Sequence, residues 1–384
     1  MNHKNSSTQT KPLVVYWNNI PTPYMVARFN ALADRGDLNF TAWFNERTMP
    51  DRGWEVKEAD WRFNYRYVPS VSVLGRKMFF PPWELISKSP DVIVSLYAEP
   101  SFIAGWFFAR LVGVKTAFWC QVTMDRWTKR SAFKNFVKRY MFRRVDATMG
   151  SGEQSRQFAI RCGAHPERAM CLPHVIDLEH YRKARMIPEE ERLRLRKKIG
   201  LQGVTFICVG RLWWGKGLGY LLDGFKEAQT LSDIEISLLM LGDGPEELAL
   251  KEKCVADGIR NVCFEGFVQK EDILPYFAVA DAMVFPTLGD PYGLVLDEAM
   301  AAGLPLISAD AAGDLVDRIE DGINGYIVPA ADAASLARYI LELASNEKLR
   351  KKMGEKSAEK IEGKTPAKWA ENFSEIINRI LSMP

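Results

Sequence analysis

Two clusters of residues in this 384-residue sequence have the types and spacing to hold an activated, phosphate-bearing substrate. The first lies in VTFICVG-RLWWGKG-LGYLLDGF, which begins at Val204 and reads as strand, loop and helix. Gly210, Gly215 and Gly217 let the backbone of the loop approach a ligand closely. The loop enters a helix N-terminus, whose first amides lack partners and lie at the positive end of the dipole. Arg211 and Lys216 add two cations, and a diphosphate suits that combination. Gly210 to Lys216 has the G-x4-G-K spacing of a P-loop, but Gly217 stands where the Mg²⁺-binding Ser or Thr is needed. Gly215, Gly217 and Gly219 do not fit G-x-G-x-x-G either. The bland alternative is a loop whose glycines turn the chain and whose cations are solvated.

The second cluster lies in FPTLGD-PYGLVLDEAMAAGLPLISAD, with a strand on each side of a helix expected over about 295–302 and Gly303 as its αL cap. Asp290 precedes the helix and Glu298 lies within it, eight positions later. A carboxylate accepts two hydrogen bonds from vicinal hydroxyls, which a sugar and a ribose both offer. Two acids at different depths of one loop can therefore hold both ends of a nucleotide-sugar. The amides of residues 292–295 open the helix and form a second anion or hydroxyl site. The alternative is that Glu298 pairs locally on a solvated face.

The elements that must position these groups follow one pattern. Short apolar runs alternate with longer amphipathic stretches: LVVYW, LNFTAWF, DVIVSLY, KTAFWC and ATMGS, then VTFICVG, ISLLMLG, VCFEG, AMVFPT, PLISAD and GYIVP. Strands apolar on both faces suit parallel sheets covered by helices. The fold class is α/β, with two Rossmann-like doubly wound domains. The charged, Pro188-containing connection near 173–200 separates them. The expected division is 1–178, 179–366 and a final amphipathic helix over 367–384, with Pro366 at its first turn.

Composition is that of an ordinary globular chain, 47% apolar and 26% charged. The net charge of +3 gives no case for nucleic-acid binding. The six cysteines show no C-x-x-C pair and are expected as buried free thiols in a reducing compartment. The N-terminus is polar, and the apolar run from Phe102 is too short and interrupted to span a bilayer. A cytoplasmic location follows as the expectation. Residues 126–144, RWTKRSAFKNFVKRYMFRR, carry eight Lys/Arg and no acid. Phe133, Phe136, Val137, Tyr140 and Met141 recur there at helical spacing. This reads as a surface helix packed on the sheet, or as a cationic face that, with Trp127, meets an anionic membrane carrying a lipid-linked acceptor. His174, at the expected hinge, reads as structural.

GRLWWGKGLGYLLDGF, LGDGPEEL, FEGFV, ADAMVFPT, DPYGLVLDEAMAAGLP and DGINGYIVP, in that order, resemble the retaining nucleotide-sugar glycosyltransferases of GT-B architecture with an E-x7-E signature, the group 1 family. The resemblance implies donor binding in a deep cleft between two domains. It implies Arg211 and Lys216 at the donor diphosphate, Glu298 at the ribose, and Asp290, where Glu is typical, at the transferred sugar. Arg211, Lys216 and Asp290 would be catalytic. Tyr292, Gly293, Leu294 and Val295 would lend amides, Phe267 and Val268 would contact the base, and the final helix would return to the first domain. Pro23 and Tyr24 in the opening loop, with Gln121, are acceptor-side candidates. Gln121 and Cys120 stand where many relatives have His. Retaining transfer from a UDP-hexose to a saccharide or lipid-linked acceptor is the activity implied. No cofactor and no metal are expected, since the sequence has no D-x-D. A nucleotide-sugar epimerase, or a non-catalytic nucleotide-sugar-binding protein, remains as the alternative.

Overall fold

The structure is a computed structural model that describes residues 11–48, 57–73, 76–79, 85, 87, 89–121 and 132–383. They divide into two compact units, one formed by 11–120, 132–173 and 366–383, the other by 121 and 174–365. The division falls at 173/174 instead of 178/179, and Pro366 is the first residue of the last helix, as its sequence reading has it.

The first unit is built on a parallel sheet of seven strands among the described residues. These are β1 (Leu13–Asn18), β2 (Asn39–Phe44), β3 (Asn64–Tyr67), β6 (Val92–Ser95), β7 (Lys115–Cys120), β8 (Ala147–Gly150) and β9 (Ala169–Cys171). Their order is β3-β2-β1-β6-β7-β8-β9. β4 (Ser70–Val73) and β5 (Arg76–Phe79) form a separate antiparallel pair. Sequence patterning identifies the five apolar strands and misses β3, β4, β5 and β9. These are short or polar, as edge and hairpin strands tend to be, so they lack a readable period.

Both faces of this sheet carry buried aromatic rings, since Trp17 and Trp119 lie on opposite sides of it. Trp17 packs edge-on to Phe102, with centroids 4.9 Å apart. The helix Pro366–Ser382 belongs to this unit. Trp369, Phe373, Ile377 and Ile380 on it are buried, and Trp369 stacks on Trp119 with centroids 5.6 Å apart.

The segment read as the opening loop is shorter than expected. The helix Pro23–Arg35 begins at Pro23, with the Thr22 hydroxyl accepting from the Met25 N–H as its cap. The basic stretch forms a helix over Ala132–Phe142, while residues 126–131, Trp127 among them, lie outside the described residues. Its apolar stripe does not turn inward as a whole. Lys138, Met141 and Phe142 are buried, whereas Phe133 is 75% and Phe136 67% exposed. The cysteine reading needs one correction: all six are free, but Cys171 is exposed and Cys263 half-buried.

The second unit has a parallel sheet of β10 (Val204–Val209), β11 (Ile236–Leu241), β12 (Val262–Phe264), β13 (Ala282–Phe285), β14 (Leu306–Ala309) and β15 (Gly325–Val328). Its order is β12-β11-β10-β13-β14-β15. The chain therefore winds outward from β10 in one direction and then from β13 in the other. The helices Leu218–Leu231 and Ala333–Ser345 pack closely where Gly224 lies; a Cβ there would meet the Ala333 carbonyl at 2.6 Å. In open α/β sheets the crevice beyond the carboxyl ends of the strands, where the order reverses, is where ligands bind. Here that point is the β10–β13 neighbourhood. Among the described residues no helix is long and apolar enough to cross a membrane.

Candidate functional site

The loop that follows β10 is fixed by contacts only glycine permits. Gly217 has φ +67°, and a Cβ on it would fall 2.1 Å from the Pro286 carbonyl oxygen. Lys216 closes a short 3-10 turn, Trp214–Lys216, ahead of the helix Leu218–Leu231. The loop after β13 is laced to it. The Leu288 N–H donates to the Gly215 carbonyl at 3.0 Å, and the Thr287 hydroxyl donates to the same oxygen at 3.2 Å. Two segments some 70 residues apart in sequence thus become one surface because β10 and β13 are neighbours.

Lys216 Nζ reaches across that seam to Asp290 Oδ2, at 2.6 Å. Both side chains are about one-fifth exposed, 19% and 18%. Lys216 Nζ also lies 5.0 Å from the centroid of the Phe285 ring. Burial works to raise the Asp290 carboxyl. It is outweighed by the charge and hydrogen bond of Lys216, the Tyr292 N–H and the charge of Arg318, and Asp290 stays below its ordinary value. Arg211 is exposed at the start of the same loop.

Asp290 also organises its own loop. Its Oδ1 accepts from the Tyr292 N–H at 2.9 Å. Its backbone forms a parallel bridge with Ala312, and its carbonyl accepts from the Gly313 N–H at 2.8 Å. Gly293 follows at φ +74°, tight against the Phe285 ring. The helix then runs Leu294–Ala301, one residue earlier than its sequence reading, with Gly303 beyond it at φ +78°. Its first amides have no intrahelical partner, and Leu294 and Val295 remain partly exposed.

Glu298 lies deeper, 3% exposed. Its Oε1 accepts from the Tyr181 hydroxyl at 2.9 Å. The reading of Glu298 as a solvated, locally paired residue is therefore wrong: it is buried, and its hydroxyl partner is 117 residues away.

The structure brings Lys216, Asp290 and the start of the Leu294–Ala301 helix together, and it alters two expectations. Lys216 and Asp290, assigned to the phosphate and sugar ends of one ligand, are bonded to each other. The Tyr292 amide, expected to face the ligand, is already bonded to Asp290. Phe267 is exposed and Val268 half-buried just beyond β12. The Gly266 carbonyl there accepts from the Gly242 N–H at 2.7 Å. Pro23 and Tyr24 form the first turn of a helix in the other unit, and Gln121 directly follows β7. His174 is buried, its ring 4.7 Å from that of Tyr292.

Sequence reasoning missed Tyr181 and Arg318. Tyr181 sits on the five-residue helix Leu178–Arg182, within a stretch read as a mere connection. Arg318 looks like a surface residue in DLVDRIEDG, yet it is wholly buried. Among the described residues no group of three or more His, Cys, Asp or Glu could hold a metal ion.

Residues 190–360 match the family described as Glycosyl transferases group 1. The chain is 33% identical over 168 residues to the amylovoran biosynthesis glycosyltransferase AmsK of Erwinia amylovora, covering 42% of this chain and 40% of that protein. It is 30% identical over 172 residues to the alpha-D-kanosaminyltransferase of Streptomyces kanamyceticus, covering 44% of each. The chain thus spans about two-fifths of the length of the curated relatives it matches. The crystal structure of Anabaena Alr3699/HepE in complex with UDP superposes with a TM-score of 0.78 at 15% identity, over 96% of this chain and 100% of that one. That likeness is one of fold alone. Residues 190–360 belong to the glycosyl transferases group 1 family, and the chain carries the GT-B fold.

Proposed function

We propose that this chain is a glycosyltransferase that moves a hexose from a UDP-sugar to a saccharide or lipid-linked acceptor, with retention at the anomeric carbon and without a metal ion. The observation that carries the reading is the meeting of a cation, an acid and a helix N-terminus at the β10–β13 switch point, with a buried acid, Glu298, one turn further along that helix. UDP is chosen because the Anabaena neighbour was solved with UDP and with UDP-glucose.

Cleaving the sugar–diphosphate bond leaves negative charge on the diphosphate and positive charge on the sugar. Arg211, Lys216 and the amides of Leu294 and Val295 would stabilise the leaving diphosphate. Each such donor is worth roughly 10²–10³ in rate. Lys216 would exchange Asp290 for the diphosphate as donor enters, which frees Asp290 to accept from a sugar hydroxyl. Glu298 would accept from the ribose hydroxyls, and Phe267 and Val268 would contact the base. A same-face reaction, with a phosphate oxygen taking the acceptor proton, fits these residues. Pro23, Tyr24 and Gln121 are proposed on the acceptor side.

A thermal-shift screen of UDP-, GDP- and ADP-sugars tests the donor, since a ligand that binds the folded state raises its melting point. UDP-sugars should give the largest shift, and transfer should persist in EDTA. A donor that turns over to an epimer with no acceptor present would make the chain an epimerase. Donor binding with neither transfer nor hydrolysis would make it a binding protein.

The exposed Phe133 and Phe136 favour a second element of the reading, a site of action at the inner face of a membrane. They flank a groove of about 1030 Å³ between the helices Pro100–Leu111 and Ala132–Phe142. Lys134 and Arg139 on the same helix, and Arg143 and Arg144 just past its end, are exposed. Rings projecting from a cationic helix suit an anionic lipid surface, as a cytoplasmic enzyme with a lipid-linked acceptor would need.

A further inference from the structure

Arg318 lies outside every motif, yet it is 0% exposed. A guanidinium stripped of water is costly unless its donors are satisfied. Those of Arg318 go to main-chain carbonyls of two different loops. Nη1 donates to Gly293 O at 2.9 Å. Nη2 donates to Tyr292 O and, at 2.5 Å, to Gly313 O. Nε donates to Asp314 O at 3.4 Å. The cation also stacks on the Tyr292 ring, 4.2 Å from its centroid.

The nearest acid does not compete for these donors. Asp297 Oδ1 is 4.0 Å from Nη1, beyond hydrogen-bond reach, and the Tyr292 side chain faces the same carboxylate. The directed interactions of Arg318 are therefore with the backbone.

The consequence follows from peptide geometry. In a planar trans peptide the C=O of one residue and the N–H of the next point in opposite directions. Holding the Tyr292 and Gly293 carbonyls toward Arg318 turns the Gly293 and Leu294 N–H groups away from the interior. They open the Leu294–Ala301 helix, where Gly293 is buried and Leu294 partly exposed. The same fork grips Gly313 and Asp314, so the loop after β14 braces the loop after β13.

We infer that Arg318 is a positioning residue that aims the Gly293 and Leu294 amides at the donor diphosphate. This rests on the donor-site reading above. Arg318 touches no ligand in this role. Its buried charge also acts on Asp290, where it is one of the influences favouring the ionised carboxylate.

The test compares wild type, Arg318→Lys and Lys216→Ala by titration with UDP and with uridine. Lysine keeps the charge but cannot fork to four carbonyls. Arg318→Lys should weaken UDP about tenfold while leaving uridine unchanged, and slow UDP release from UDP-glucose by about 10²-fold. A residue that only braced the fold would shift uridine and UDP together. An unchanged UDP-to-uridine ratio in folded Arg318→Lys overturns the inference. Hydrogen exchange on the wild type needs no variant: UDP should slow exchange at Gly293 and Leu294 and uridine should not. Absence of that slowing overturns the inference whatever the variant does. If Lys216→Ala loses UDP while Arg318→Lys keeps the ratio, this inference alone falls. A wild-type chain that binds no UDP overturns the donor reading itself.

Discussion

Lys216 Nζ and Asp290 Oδ2, 74 residues apart in sequence, lie 2.6 Å from each other and close the seam between the loops that follow β10 and β13. The pair keeps each charge satisfied where each side chain is only about one-fifth exposed. On the proposed donor reading, an incoming diphosphate would replace a carboxylate at the ammonium.

Lys216→Ala should lower the transfer rate by roughly 10²–10³ and stability at pH 7 by roughly 2 kcal/mol, between the cost for an exposed pair and that for a buried one. Asp290 is held below its ordinary value of 3.8, so the folded chain binds that proton less tightly than the unfolded chain. The stabilisation is thus complete above pH 3.8 and is lost as pH falls through the lower, folded value. Thermal melts of wild type and Asp290→Asn should differ at pH 7 and converge as pH falls from 3.8 through the folded value. A constant difference across that window would show that the pair's charge is not the source.

Tyr181→Phe removes the hydroxyl that donates to Glu298 Oε1. A hydrogen bond to a charged group contributes about 1.5–3 kcal/mol, and melting should show its loss. If Glu298 also holds the ribose, Glu298→Gln should weaken UDP binding more than Tyr181→Phe does. Equal effects on UDP would assign Glu298 a packing role only.

Gly217 and Gly219 make a matched pair. Gly217→Ala meets both a φ of +67° and the Pro286 carbonyl at 2.1 Å, so it should push the two loops apart and abolish UDP binding. Gly219 has nothing within 4 Å of an added Cβ. Gly219→Ala should therefore be neutral or stabilising by about 0.5–1 kcal/mol, as is usual inside a helix. Retained UDP affinity in Gly217→Ala would contradict the tight seam.

Phe133→Ser with Phe136→Ser should leave the melting temperature nearly unchanged, within about 0.5 kcal/mol, because both rings are exposed. Flotation with vesicles containing anionic phospholipid should be lost. Wild-type chain that stays in the bottom fraction would dispose of the membrane reading.

The sequence by itself determined the alternation of buried strands and covering helices, the glycine turn at 215–217 and the eight-residue interval from Asp290 to Glu298. Each of these is local: a period, a conformational freedom or a spacing can be read within some 20 residues. It also carried enough of the group 1 pattern in residues 190–360 for the family to be recognised. Which charges neutralise one another was decided by tertiary structure. Lys216 finds Asp290 because a parallel sheet places β13 beside β10, skipping two intervening strands. Tyr181 meets Glu298 across 117 residues. Arg318 is buried through bonds to carbonyls, groups that every residue possesses and that leave no mark on side-chain pattern. The sequence left open how far the helix Ala132–Phe142 is covered, for a related reason. Helical spacing places Phe133, Phe136 and Met141 along one stripe, but only the neighbouring packing settles how much of that stripe is covered.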